Sequence, residues 1–416
     1  MCFFGSIIQC IEYNFIGDKM FKKILAIILS IFTIVETKQI VGVRLPEDNQ
    51  EIMVFKPGIK PNIKSSVLID ANTNKVLVDN RKDARLPMAS MTKVMSLIIF
   101  FEAIEEKRLQ MDQLLTCSEN AASKGGSQIF LSVGEQMSVD DLLKSVCIAS
   151  ANDATVVLAE AISGSEEVFV QLMNKKAEEL KLYNTVFSNS TGLPTTNAHY
   201  TTAYDMAIMS SYLINNYPKA LEYSSKYEDY VRVGTPKQFW LVNTNKLIKS
   251  VEGIDGLKTG WTEDAGYCLT CTKKVDNMRL VSVVMGANTI KDRTNMTLEL
   301  LNYGFSNYKY QMVLPKGTIV NTNKNILLSP TEQNVVLSKD FGILLQHNEE
   351  FKNYQTKIVI DNDLINRYET KDIGYIEFYK DGNLIDKISL DLQTTTKKTT
   401  FLDLFKEVLK YSFIYG

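Results

Sequence analysis

The tetrapeptide Ser90-Met91-Thr92-Lys93 opens an apolar run of Val94, Met95, Leu97, Ile98, Ile99, Phe100 and Phe101, which ends where charge returns at Glu105, Glu106 and Lys107. Such a run predicts a buried helix. Residues three apart on a helix share a face, so Ser90 and Lys93 are expected to point into the same space. A serine hydroxyl becomes nucleophilic when a base takes its proton, and a lysine can be that base once burial or a neighbouring cation lowers its pKa. The start of a helix also offers the positive end of the macrodipole to a developing oxyanion. Taken alone, the tetrapeptide reads as well as an N-capping serine followed by a surface lysine, so its partners must decide.

Two triplets supply those partners, Ser150-Ala151-Asn152 and Lys258-Thr259-Gly260. A competing Ser118-Glu119-Asn120 lies in a polar stretch too close to Ser90, which favours Ser150. Histidine chemistry has little to draw on. Of the two histidines, His347 falls in the C-terminal part, and His199, in Asn197-Ala198-His199-Tyr200-Thr201-Thr202, is read as organising a helix start.

The elements that must position these groups can be read around them. Ser66 to Ala71 and Lys75 to Asp79 alternate about Asn72-Thr73-Asn74 and predict a hairpin. Pro87 stops the extended segment and admits the helix at Ser90. Residues 117–127 read as a surface loop. Ser138-Val139-Asp140-Asp141 resembles a capping box and launches a helix through Leu142, Leu143, Val146 and Cys147. Further helices are expected over Ala154 to Ile162, Phe169 to Leu182 and Thr201 to Leu213. Beyond Lys258, Gly266 to Thr272 and Arg279 to Met285 alternate like paired strands. Met296 to Tyr303 returns to helix, with Gly304 as its C-cap. After Pro315 short β-prone runs at 318–321, 335–337, 355–360, 375–379 and 386–390 imply a small all-β domain. Residues 394–400 are linker-like in composition.

With 416 residues the chain exceeds one ordinary core. A net charge of -2 and dispersed basic residues give no reason to expect nucleic acid. Cys268-Leu269-Thr270-Cys271 has redox or metal spacing, but no second such pair exists. Positions three apart on a strand face opposite sides, so two separate buried thiols are expected and no metal or cofactor is assigned. At the N-terminus, Lys22-Lys23 precede the short apolar run Ile24 to Val35, which suits an export signal over 1–39, with a possible upstream extension before Met20. An uncleaved anchor is the alternative. Phe401, Leu404, Phe405, Val408 and Leu409 would share one face of a helix lying on a membrane surface or docked on the β domain.

The ordered set Ser-x-x-Lys, Ser-x-Asn, Lys-Thr-Gly is that of penicillin-binding proteins and class A β-lactamases. Together with Pro87-Met88-Ala89, Lys124-Gly125-Gly126-Ser127, Asn152-Asp153-Ala154 and Asp255-Gly256-Leu257, it resembles the serine D-alanyl-D-alanine carboxypeptidases, the low-molecular-mass penicillin-binding proteins. The resemblance implies an α/β penicillin-recognising domain over 60–305, an antiparallel sheet flanked by helices. It also implies a β-rich domain over 306–392 and a linker with a membrane-surface helix over 393–416.

The resemblance further implies acylation of Ser90 by the penultimate D-alanine of peptidoglycan pentapeptides, or by β-lactams, at the outer face of the cytoplasmic membrane. Lys93 would be the base, made neutral by a Lys258 that stays charged, and Ser150 would relay a proton. Asn152, Lys258, Thr259, Gly260, Trp261 and Arg293 would bind substrate, with the Ser90 and Trp261 N–H groups holding the oxyanion. Arg293 reads otherwise as a surface arginine. Trp261 departs from the family's varied histidine and aromatic residues there. A class A β-lactamase needs a glutamate to activate its deacylating water, and Phe187 to Tyr200 contains no acidic residue. Endopeptidase or transpeptidase activity is the chemically adjacent alternative.

Overall fold

A five-stranded antiparallel sheet forms the centre, with β1 (Ser65–Asp70), β2 (Val76–Asn80), β3 (Ile254–Thr262), β4 (Gly266–Val275) and β5 (Met278–Ala287) in the order β2-β1-β5-β4-β3. The predicted hairpin is β1 and β2, and the strands after Lys258 are β4 and β5, so Lys258-Thr259-Gly260 lies on an edge strand. The computed structural model describes residues 62–325, 327–351 and 354–406, within one compact unit, Asn49–Gly416. The expected export signal lies outside the described residues, as does the tail from 407.

Helices cover both faces of the sheet. On one side lie α1 (Lys93–Glu105), α2 (Val139–Ala149), α3 (Asn152–Ser163), α4 (Glu166–Glu179) and α5 (Ala203–Asn216). On the other lies α6 (Ile290–Asn307). Helix α1 is apolar nearly all round because it runs through the middle of the core, where even Lys93 and Ser96 are buried. Side-chain oxygens of Ser138, Ser165, Thr202 and Thr289 cap α2, α4, α5 and α6 by accepting a first-turn N–H, which fixes where each begins. Cys268 and Cys271 fall into the cores on opposite faces of β4, as strand alternation requires.

Three expectations change. Ser90 sits in a single 3-10 turn, Ala89–Thr92, and α1 proper starts at Lys93. The stretch read as loop contains one helical turn, Glu119–Ala122, capped by Ser118 Oγ, so the competing Ser-x-Asn has a capping role. Gly304 does not cap α6, which continues to Asn307. A Cβ there would lie 2.4 Å from Leu280 Cδ1 and 2.9 Å from Leu68 Cδ2, so the glycine lets α6 approach the sheet.

The β-rich region holds the sheet β7-β8-β12-β11-β10, built from β7 (Ile319–Lys324), β8 (Glu332–Leu337), β10 (Gln355–Ile360), β11 (Gly374–Lys380) and β12 (Asn383–Leu392). A separate pair, β6 (Tyr308–Leu314) and β9 (Phe341–Gln346), was not anticipated from sequence. Leu344 of β9 joins the core beneath α6, tying the β-rich region to the first domain. Among the described residues no helix is long and apolar enough to cross a membrane.

Candidate active site

The turn carrying Ser90 is clamped from two sides. On the β3 side, a Cβ on Gly260 would lie 2.8 Å from Met88 O and 3.2 Å from both Ala89 Cβ and Met91 N, so only glycine permits this approach of strand and turn. On the other side, a Cβ on Gly192, whose φ is +83°, would fall 1.9 Å from Ala89 O. Ala89 itself has φ +47°, an uncommon value for a residue with a side chain.

Lys93 Nζ is fully buried and lies 3.1 Å from Ser90 Oγ, 2.6 Å from Asn152 Oδ1 and 2.7 Å from Thr191 O. The amide of Asn152 is oriented by its Nδ2, which donates to Gly125 O at 2.7 Å, so Oδ1 faces the lysine. The last two partners of Nζ can only accept. A neutral amine therefore spends both hydrogens on them and turns its lone pair toward the serine hydroxyl, which is the geometry of a general base. Burial holds the Lys93 pKa well below its ordinary value, and the nearby Lys258 charge lowers it further against opposition from Asp153 and Glu166. The expectation placed like-charge repulsion first; burial is the larger cause.

Lys258 is buried too and donates to Thr259 O at 3.0 Å. Burial brings its pKa down to about 7, with Cys147 acting against this and Arg293 with it, so near neutral pH the amine is part charged and part neutral. Thr259 Oγ1 donates to Thr244 Oγ1 at 2.7 Å. Arg293 is 8% exposed and its Nε has no partner among the described residues, which excludes the reading as a surface arginine. Ser150 occupies a left-handed C-cap with φ 63°, and its buried Oγ has no partner among the described residues. Trp261 is 58% exposed, its ring 6.0 Å from that of Tyr267.

Several supporting groups were missed. Asp153 accepts from the N–H groups of Ile129 and Leu131 and so fixes the loop that follows Gly125-Gly126-Ser127. Glu166 pairs with Lys124 at 2.8 Å and accepts from Ser190 N and Oγ; these contacts outweigh burial and hold its carboxylate below the ordinary pKa. Its role is to tie the 188–192 segment in place. His199 does not start a helix, since Thr202 caps α5. Its Nε2 lies 2.7 Å from Thr92 Oγ1 and its Nδ1 accepts from Ser188 N–H at 3.0 Å, while burial lowers its pKa to about 4. A histidine in direct contact with its partner but 107 residues from it in sequence leaves no local pattern.

An antiparallel sheet flanked by helices, with the serine and its buried amine between sheet and helical layer, defines the class of penicillin-recognising serine hydrolases, which acylate without histidine as base. Comparison narrows the class to a family. Residues 54–289 match the model of the peptidase S11 D-alanyl-D-alanine carboxypeptidases, and the chain belongs to that family. Residues 308–398 match the C-terminal domain of penicillin-binding protein 5. The chain is 41% identical to the D-alanyl-D-alanine carboxypeptidase DacF of Bacillus subtilis, over 83% of this chain and 89% of the relative. Penicillin-binding protein 5 of Haemophilus influenzae superposes with a TM-score of 0.64 at 29% identity, over 83% of this chain and all of that one. Penicillin-binding protein D2 of Listeria monocytogenes, solved with cefotaxime bound, gives 0.55 at 30% identity over 60% of this chain and all of its own. The protein is thus a serine-type D-alanyl-D-alanine carboxypeptidase of the penicillin-binding class, and the family acts on peptidoglycan.

Proposed function

We propose that Ser90 attacks the carbonyl of the penultimate D-alanine and that Lys93 takes its proton. The observation that carries this reading is the three-point contact of the buried Lys93 Nζ with Ser90 Oγ, Asn152 Oδ1 and Thr191 O. The peptide C–N bond breaks as the tetrahedral intermediate collapses, and the proton held on Lys93 passes through Ser150 Oγ to the leaving D-alanine amine. Water then attacks the ester, giving its proton to Lys93 and returning Ser90 to its hydroxyl form. The oxyanion is held by the N–H groups of Ser90 and Trp261. Thr259, Lys258 and the unpartnered Arg293 Nε receive the terminal carboxylate, and Asn152 orients the peptide. Gly260 lets strand and serine turn meet.

The same reading places the enzyme outside the cytoplasmic membrane, exported by the signal over 1–39. The tail from residue 393 holds it to the membrane surface. In support, Phe401, Leu402 and Phe405 are 84%, 61% and 51% exposed, which leaves apolar surface open to solvent. Incubating the purified protein with a pentapeptide muropeptide should yield the tetrapeptide and free D-alanine in equal amounts. Cleavage of cross-linked dimers with the pentapeptide left intact would instead make it an endopeptidase.

A further inference from the structure

His199 and Thr92 form a chain of hydrogen bonds whose direction is fixed at every link. The Ser188 backbone N–H can only donate, so Nδ1 of His199, 3.0 Å away, accepts. The Thr92 hydroxyl carries one hydrogen and gives it to Ala89 O at 2.7 Å, so at its 2.7 Å contact with His199 Nε2 it must accept. Both ends of the imidazole lead to one state, neutral with the proton on Nε2.

What this chain holds is the Ala89–Ser90 peptide plane. Its carbonyl is gripped by Thr92 and walled by Gly192, and in a trans peptide the N–H points the opposite way. That N–H belongs to Ser90 and is, in the reading above, one of the two oxyanion donors. Ala89 stands at φ +47°, so the plane needs external restraint to stay in this orientation.

We propose that His199 and Thr92 are positioning residues for the oxyanion hole, fixing the Ser90 N–H through the Ala89 carbonyl. This rests on the assignment of Ser90 as nucleophile. Loss of the restraint leaves substrate binding intact and weakens stabilisation of the tetrahedral intermediate. Removing an oxyanion donor outright lowers turnover by about 10²–10³-fold, so a donor that is present but unrestrained should cost about tenfold or more.

The test is single-turnover acylation by a chromogenic penicillin, separating the binding constant from the acylation rate constant, with affinity for a peptide boronic acid measured in parallel. The boronate adduct on Ser90 places an oxygen in the hole and so reports on it directly. Thr92→Val, which keeps the branched shape and removes the hydroxyl, should lower the acylation rate constant about tenfold or more, leave penicillin binding within about twofold, and weaken boronate affinity by a factor similar to the rate loss. Thr92→Ser should restore most of the rate. His199→Gln, which keeps a donor in reach of Thr92, should fall between Thr92→Val and the wild type and covers the case in which Thr92→Val does not fold. A folded Thr92→Val or His199→Gln with the wild-type rate constant, or one in which only binding changes, overturns the proposal. Acylation of a folded Ser90→Ala variant would sink the underlying reading instead.

Discussion

Lys258→Met removes a buried charge and keeps a similar side-chain length. Lys258 is 1% exposed and makes one hydrogen bond, to Thr259 O. Its pKa is about 7 in the folded protein against an ordinary 10.5. Between those values the unfolded chain holds a proton that the folded chain lacks, so the stability of the wild type rises with pH through this window and is lowest below about 7. At about 1.4 kcal/mol per pH unit the window corresponds to roughly 5 kcal/mol, an upper bound, against about 1 kcal/mol for the lost hydrogen bond. The variant should therefore be more stable than wild type by a few kcal/mol at pH 7 and below, and the gap should close toward pH 10.5. Thermal melts of both proteins from pH 6 to 10 measure this. Acylation should fall sharply at the same time, and its acid limb should move to higher pH, because Lys93 loses the neighbouring charge that depresses it. A variant less stable than wild type at pH 6, or a stability gap that does not depend on pH, would refute the reasoning.

Gly304→Ala should destabilise the fold by about 1–2 kcal/mol, since overpacking against the buried Leu280 and Leu68 costs about 1–3 kcal/mol and exceeds the helix-propensity gain; denaturant titration checks it, and equal stability would show that the interface gives way. Deleting residues 400–416 should release the protein from anionic lipid vesicles with penicillin acylation unchanged, measured by flotation; retained binding would assign attachment elsewhere.

The site was legible because its chemistry is written in short local spacings. Ser90 and Lys93 are three apart, Lys258-Thr259-Gly260 is contiguous on β3, and the alternation of β4 and β5 announces the sheet. What escaped was long-range or caused by burial. The contacts of Lys93 with Thr191, and of Thr92 with His199, join residues about a hundred positions apart and carry no local signature. The lowered pKa of Lys258 was not legible, because charge in a sequence says nothing about the solvent lost on folding. Gly304 was read as a terminator because a glycine near a helix end fits a C-cap as well as a close approach, and only packing against Leu68 and Leu280 distinguishes the two. Strands β6 and β9 both fall within the region 306–392 but outside the short β-prone runs read there, and β7 and β8 separate them in sequence, so no local pattern announced their pairing.

The central claim, that Ser90 is acylated with Lys93 as its base, is tested most directly by mass spectrometry of the protein after brief exposure to benzylpenicillin. The account predicts a single penicilloyl adduct on the peptide containing Ser90, none on Ser90→Ala, and adduct formation slowed on the order of a hundredfold or more in Lys93→Ala. An adduct on any other residue, or Lys93→Ala acylating at the wild-type rate, would contradict it.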